Sequence, residues 1–289
     1  MSSIPISSML NNGDQPKFTE NERSYYVQWY NTYPYPCDDA ERDRLDAVHE
    51  ALYAAALGDR LHLATLRTGR LRILDIGYGT GKWAIQMKGR YPQAEVIAID
   101  IGNYPVDEYD RPVNFGVEFR PGVNFLTDDW GFENGSGQAE FVELDWRPRF
   151  EGETPASWSD VGRWWQLMEM ASDGFGKPLA YPAEIGTIIR QAGCNVLEQK
   201  QIEVWATEDH WEQNALTPRN RLTRWYRYSM FSPVFKTLKG MSMALLTHQL
   251  HLPPDDVAAL CLRVHHALNL SDSPYYHDLH VITFRRRAG

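Results

Sequence analysis

The 289-residue chain lacks most features of secreted, metal-binding and membrane-spanning proteins. Its three cysteines, Cys37, Cys194 and Cys261, are widely spaced and form no C-x-x-C pair, so neither a disulfide framework nor a zinc site is indicated. Residues 1–20 have no basic start and no continuous apolar core, which argues against a signal peptide or a membrane span. These absences predict a disordered lead over residues 1–20 and a reducing compartment, the cytoplasm or the nucleus.

The chain also has fewer basic than acidic residues. The 29 Lys and Arg residues are outnumbered by 38 Asp and Glu residues, and the net charge is −9. Because nucleic-acid binding surfaces are rich in positive charge, this balance argues against direct nucleic-acid binding. With 43% apolar residues the chain can bury a full core, and we expect one α/β domain over residues 21–289.

Glycine is concentrated where a predicted strand meets a predicted helix. The apolar run at residues 72–76 leads into the pattern D-x-G-x-G-x-G, which begins at Asp75 and ends at Gly81. Glycines allow a tight turn, and the N–H groups of the following helix point at any ligand there. A dinucleotide-binding turn, G-x-G-x-x-G, would need glycine at position 82, where Lys82 stands. The pattern therefore argues against a nicotinamide oxidoreductase and favours S-adenosylmethionine, whose ammonium and ribose suit an acid beside the turn.

Two further predicted strands end in carboxylates. Residues 95–100 form a β-branched run that ends at Asp100, about 20 residues after the turn, where βαβ units place a ribose-binding acid. A third strand is predicted over residues 123–127, and the acids that follow it are candidate acceptors for the adenine amino group. Ligands of open parallel sheets bind at the carboxyl ends of the strands. The predicted cofactor contacts are Asp75, Gly77, Gly79, Gly81, Asp100, Ile101, Asp128 and Asp129.

Each of these motifs alone also fits ordinary turn chemistry, because glycine and aspartate are common in tight turns. Their order along one βαβ pattern favours the cofactor site over three unrelated turns.

The chain resembles the fungal LaeA-like (UMTA-type) class I S-adenosylmethionine-dependent methyltransferases over roughly residues 20–285. Beyond the glycine turn, the matching segments lie at residues 22–26, 43–46, 61–64, 83–85, 91–97, 142–145 and 243–247. The resemblance implies a Rossmann-like methyltransferase sheet and S-adenosylmethionine as the cofactor. Many members of the family belong to secondary-metabolite gene clusters.

One part of the chain departs from the family pattern. In the family a strand, a helix and a Pro-Gly-Gly turn follow the third strand, whereas here residues 128–137 run through glycines into an apolar run at 138–144. We therefore predict that one strand-helix unit is absent. The strand at 138–144 is expected to fill the vacated position beside Ile73 and Leu74, with Trp130 and Phe132 covering the place of the missing helix. In the family this unit normally forms one wall of the substrate pocket, so we expect its loss to affect catalysis more than cofactor binding.

After residue 145 the pattern becomes mainly helical. Helices are predicted near residues 157–171, 183–192, 218–250 with a break near Gly240, and 254–268. The last two strands, ending near residues 204 and 285, are expected to form an antiparallel hairpin. Residues 206–276 between them are predicted to be a helical cap, and their aromatic and histidine side chains suit a flat apolar substrate.

These patterns predict an S-adenosylmethionine-dependent methyltransferase that acts on a small aromatic or polyketide-like metabolite. They assign no catalytic base and no metal. The alternative is a catalytically degenerate methyltransferase-like protein that acts as an auxiliary or regulator of secondary metabolism through protein partners.

Overall fold

The computed structural model describes residues 15–50, 52–53, 57–66, 69–103, 116–128, 137–150, 159–179, 184–205, 237–270 and 275–287. The chain divides into two compact units, one from residues 1–42 and 72–132 and the other from residues 43–71 and 133–289. The single domain expected over residues 21–289 stays a prediction.

The first unit begins with a β-hairpin. Strand β1 (Lys17–Glu20) pairs antiparallel with β2 (Arg23–Tyr26), so the end of the predicted disordered lead is ordered in a sheet. Composition alone predicts no ordered structure for these residues, whereas pairing with β2 orders residues 17–20. Helix α1 (Asp39–His49) follows, and the Asp38 carboxylate accepts a hydrogen bond from the Glu41 N–H at 3.1 Å, which caps its first turn.

A parallel sheet forms the core of the first unit. Strands β3 (Arg72–Ile76), β4 (Glu95–Asp100) and β5 (Val117–Pro121) lie in the order β3-β4-β5. Helix α2 (Lys82–Arg90) lies between β3 and β4 in the chain. The central residues of β4 are all buried, as expected for a strand of a parallel sheet. The predicted α/β class is confirmed by this sheet.

The third strand lies at Val117–Pro121 and not, as predicted, at residues 123–127. Residues 124–128 form a turn, in which the Asn124 carbonyl accepts hydrogen bonds from the N–H groups of Thr127 and Asp128, at 3.0 and 2.8 Å. The prediction was wrong because the turn-forming side chains of Asn124 and Asp128 outweigh the apolar pair between them. That pair, Phe125 and Leu126, is 44% and 65% exposed.

An antiparallel sheet forms part of the second unit. Its strands β6 (Gln138–Phe150), β7 (Cys194–Trp205) and β8 (Tyr275–Arg286) lie in the order β6-β8-β7. The predicted antiparallel pairing of the last two strands is confirmed. The prediction that β6 lies parallel beside Ile73 and Leu74 was wrong, since β6 pairs antiparallel with β8. Strand β8 is largely buried, so its backbone needs partners on both edges. Trp130 and Phe132 lie outside the described residues.

The described helices of the second unit are α3 (Ser159–Gly174), α4 (Ile185–Gln191), α5 (Thr237–Gln249) and α6 (Pro254–Leu270). Helices α3, α5 and α6 pack against one another, and α4 packs against β7. The Trp164 indole N–H donates to the Ser242 hydroxyl at 2.8 Å, which joins α3 to α5. Gly240 lies inside α5 and not at a break. Within the described ranges, no helix has the length and apolar character to cross a membrane.

Candidate cofactor site

The glycine turn between β3 and α2 is held by the end of β4. The N–H groups of Gly77 and Tyr78 both donate to the Ile99 carbonyl oxygen, at 2.8 and 3.2 Å. Gly77, Gly79 and Gly81 have φ angles of 78°, 53° and 76°, where side chains would be strained. Helix α2 begins directly after Gly81, so the N-terminal end of the helix adjoins this turn.

Asp100 ties the glycine turn to the loop that follows β4. Its Oδ2 accepts a hydrogen bond from the Gly79 N–H and its Oδ1 accepts one from the Gly102 N–H, both at 2.8 Å. Burial raises the pKa of Asp100, and the N–H donors of Gly102, Gly79 and Ile101 oppose that shift. Because a carboxylate offers about four acceptor sites, Asp100 keeps sites for another donor, such as a ribose hydroxyl.

Asp75 lies one residue before the end of β3. Its Oδ2 is buried and accepts no hydrogen bond from the described residues. Burial, together with the nearby charge of Asp100, raises the pKa of Asp75 to about 7. Across the described part of the chain, neither carboxylate forms an ion pair. Two neighbouring half-buried acids without a cation favour a positively charged ligand, which would offset their desolvation and mutual repulsion.

Two residues that the sequence analysis did not assign contact the loop at residues 101–103. The Tyr26 hydroxyl accepts a hydrogen bond from the Asn103 N–H at 3.0 Å. The Gln15 side-chain amide donates to the carbonyl of Ile101, a predicted cofactor contact, at 2.9 Å. Tyr26 lies in a segment that carries the family resemblance, and this is the one feature of the sequence that pointed to it. No feature of the sequence pointed to Gln15, because it lies in the predicted disordered lead.

Asp128 does not stand at the end of a strand. Its Oδ2 accepts a hydrogen bond from the Asn124 N–H at 2.8 Å, and its Oδ1 accepts one from the Thr127 hydroxyl at 3.0 Å. Both oxygens therefore stabilise an exposed turn. The role of Asp128 toward adenine stays a prediction, and Asp129 lies outside the described residues.

The described residues of the predicted cap are divided between core and surface. Tyr275 is fully buried in β8, whereas His248, His251 and His266 are exposed. The side chains at positions 210, 211, 225, 226 and 228 lie outside the described residues. Within the described part, no cluster of three or more His, Cys, Asp or Glu side chains is arranged to hold a metal ion.

Known proteins similar to this chain include fungal regulators. The secondary metabolism regulator LaeA of Aspergillus fumigatus is 25% identical over 318 residues, which cover 98% of this chain and 80% of the regulator. The LaeA of Emericella nidulans, named a protein-methionine methyltransferase, is 24% identical over 312 residues, which cover 96% and 78% of the two chains. The chain is similar to LaeA-type proteins over nearly its whole length. The predicted family resemblance is thereby confirmed.

No protein-family model matches the chain. Among solved structures, coclaurine N-methyltransferase bound to N-methylheliamine and S-adenosylhomocysteine is 12% identical, with a TM-score of 0.42 over 84% of this chain and 72% of that chain. The size and Trp-rich middle of the chain also resemble the methyltransferase-like member (TdiE) of the terrequinone pathway. That narrower resemblance stays a prediction.

Proposed function

We propose that the protein is an S-adenosylmethionine-dependent methyltransferase that acts on a small aromatic or polyketide-like secondary metabolite. The observation that supports this most is the pair Asp75 and Asp100, two half-buried acids beside a glycine turn, neither of which forms an ion pair with a described residue. S-adenosylmethionine carries both an ammonium and a sulfonium. A cation of this kind would relieve the cost of burying two carboxylates at the end of a parallel sheet.

Each predicted contact has a distinct part in this proposal. Asp75 would attract the positive charge of the cofactor, and Asp100 would accept hydrogen bonds from ribose. The turn of Gly77, Gly79 and Gly81 would let the cofactor approach the backbone, because none of these residues presents a side chain. Ile101 follows Asp100 in the loop, where its backbone would border the cofactor.

The chemistry of methyl transfer fits a site without an assigned base. The bound cofactor supplies a methyl group that its sulfonium already activates. The protein can therefore contribute chiefly by holding an oxygen, nitrogen or carbon nucleophile in line with that group and by excluding water. For this reason we assign cofactor contacts and leave the catalytic residue open.

A second candidate is a regulatory protein that acts through protein partners. The names of the LaeA relatives favour it, since they are secondary metabolism regulators and one is named a protein-methionine methyltransferase. In this alternative the methyl acceptor is a protein, or the fold is kept without turnover. A protein methyltransferase would use the same cofactor site as a metabolite methyltransferase, so these two differ only in the methyl acceptor.

Isothermal titration with S-adenosylmethionine and S-adenosylhomocysteine tests the shared part of the proposal. We expect both to bind the wild-type protein, and Asp100→Asn to weaken binding by about 10- to 100-fold, since charged hydrogen bonds contribute about 1.5 to 3 kcal/mol. Glu118→Gln is the matched control, because Glu118 is an exposed acid on β5 of the same sheet. Absence of binding to the wild-type protein would overturn the cofactor assignment.

Tritium-labelled S-adenosylmethionine separates the two candidates. The protein is incubated with a panel of phenols and polyketide-like aromatics in one series, and with fungal protein fractions in another. Label in a small molecule supports the metabolite enzyme. Label confined to protein, or none despite cofactor binding, supports the regulator.

A further inference from the structure

The loop at residues 101–103 is held from two sides. On the cofactor side, the Gly102 N–H donates to Asp100 Oδ1 and the Gly102 carbonyl accepts from the Tyr78 hydroxyl at 3.4 Å. On the other side, the Gln15 amide donates to the Ile101 carbonyl, and the Tyr26 hydroxyl accepts from the Asn103 N–H. Three consecutive residues of the loop are therefore held by hydrogen bonds within the protein.

The hairpin that carries Tyr26 is itself fixed. Arg23, only 2% exposed, forms two hydrogen bonds to the Asp38 carboxylate at 2.7 and 2.8 Å. The Ser24 carbonyl accepts a hydrogen bond from the Cys37 N–H at 2.7 Å. Since a buried bidentate Arg–carboxylate pair constrains position strongly, the Tyr26 hydroxyl is presented from a rigid support.

A chain of contacts leads from the hairpin to the Asp100 carboxylate. Displacement of Asn103 would move the adjacent Gly102 N–H, which holds Oδ1 of Asp100. Rotation of that carboxylate would then disturb Oδ2, which holds the Gly79 N–H of the glycine turn. The acceptor sites offered to ribose therefore depend on the hairpin, although the hairpin is distant in sequence.

We propose that Tyr26 and Gln15 are positioning residues that set the Asp100 carboxylate for the cofactor through the loop at residues 101–103. This inference rests on the proposed cofactor site. It extends that site to an N-terminal strap, defined as residues 15–26, that acts without touching the reacting atoms. Binding of cofactor and order of the strap are then linked, because the same loop serves both.

The adjacent tyrosine offers a matched control. Tyr25 is also on β2 and is 1% exposed, but its hydroxyl makes no hydrogen bond within the described chain and its ring packs against Phe18 and Tyr30. Tyr25→Phe and Tyr26→Phe therefore remove the same atom from neighbouring buried sites. Only the second change removes a contact to the loop.

The test is the dissociation constant of S-adenosylhomocysteine, measured by titration, with the melting temperature recorded for each variant. We expect Tyr26→Phe to weaken binding by roughly three- to tenfold, the range of one neutral hydrogen bond, and Tyr25→Phe to leave it within about twofold. Gln15→Met, which removes the amide donor, should weaken binding by roughly two- to fivefold whether or not Tyr26→Phe folds well.

A double-mutant cycle with Asp100→Asn distinguishes positioning from general stabilisation. If Tyr26 acts through Asp100, the effect of Tyr26→Phe should shrink to less than about half in the Asp100→Asn background, because the two changes then share one pathway. Equal binding by the Tyr25→Phe and Tyr26→Phe proteins, or full additivity with Asp100→Asn, would overturn the inference. A wild-type protein that binds no cofactor would instead overturn the proposed function.

Discussion

Each unit of the molecule has a pair of acids in its sheet, half-buried in the first unit and buried in the second, and the two pairs have different neighbours. In the parallel sheet, Asp75 and Asp100 repel each other, and only Asp100 accepts hydrogen bonds from described backbone N–H groups. In the antiparallel sheet, Asp145 and Asp278 lie opposite each other on β6 and β8. Arg149 bridges that second pair, with its Nη2 2.6 Å from Asp145 and its Nε 2.9 Å from Asp278.

The difference separates a structural cluster from a candidate ligand site. A buried acid is tolerated when a cation and hydrogen bonds offset its desolvation, and the Arg149 cluster meets that condition within the protein. Asp75 does not, because its Oδ2 is buried without a hydrogen-bond donor from the described residues. The unpaired Asp75 oxygen lowers stability, and we expect this of an acid that serves a cationic ligand under the proposed function.

The largest effect is expected at the Arg149 cluster. Arg149→Met would leave two buried carboxylates without their cation and should lower the free energy of unfolding by about 3 to 5 kcal/mol. Arg147→Met is the control on the same strand, since Arg147 is 52% exposed and its ion pair with Glu169 should contribute at most about 1 kcal/mol. Urea titration measures both. Equal midpoints for the two variants would show that the cluster is not structural.

At Asp75 we expect a substitution to raise the stability of the protein and not to lower it. The pKa of Asp75 is raised to about 7 in the folded protein, against about 4 in the unfolded chain. The folded state therefore keeps a proton that the unfolded state has lost, so stability falls as the pH rises from about 4 to 7. Because asparagine does not ionise, Asp75→Asn removes this fall in stability with rising pH. We expect its melting temperature to exceed that of the wild type by about 2 to 6 °C at pH 8, without cofactor.

The pH series provides the control for Asp75→Asn. At pH 5 the folded wild type is already protonated at Asp75, so the difference in melting temperature should be smaller there and grow toward pH 8. The same variant should bind S-adenosylmethionine more weakly at pH 8. A variant that is less stable than the wild type at every pH would contradict the picture of an acid kept for a ligand.

Features that lie within one short segment of the chain could be predicted from the sequence. The glycine turn and Asp100 were predictable because the residues that define them lie within one βαβ segment, and the turn needs glycine at its positive φ angles. The position of the third strand was not, because the run at residues 123–127 reads as a strand until the side-chain hydrogen bonds of Asn124 and Asp128 are known.

Contacts between residues distant in sequence could not be predicted. Strand β6 reads equally well as a parallel or an antiparallel strand, and its partner β8 lies more than a hundred residues later in the chain. The contacts of Tyr26 and Gln15 with the loop after β4 are likewise distant in sequence. No local pattern predicts such contacts, so the geometry of the glycine turn and Asp100 was predictable and the hydrogen bonds from Tyr26 and Gln15 were not.

The smallest effect is expected at Asp128, which tests whether the candidate site extends to the turn after β5. Asp128→Ala removes two exposed hydrogen bonds within the turn and should cost roughly 1 kcal/mol of stability. Because both oxygens already serve the turn, we expect S-adenosylhomocysteine affinity to change less than about threefold. Thr127→Val is the control, since it removes one of the same bonds without touching the carboxylate. A loss of affinity above about tenfold for Asp128→Ala alone would restore Asp128 as an adenine contact, because only a direct interaction would separate the two variants.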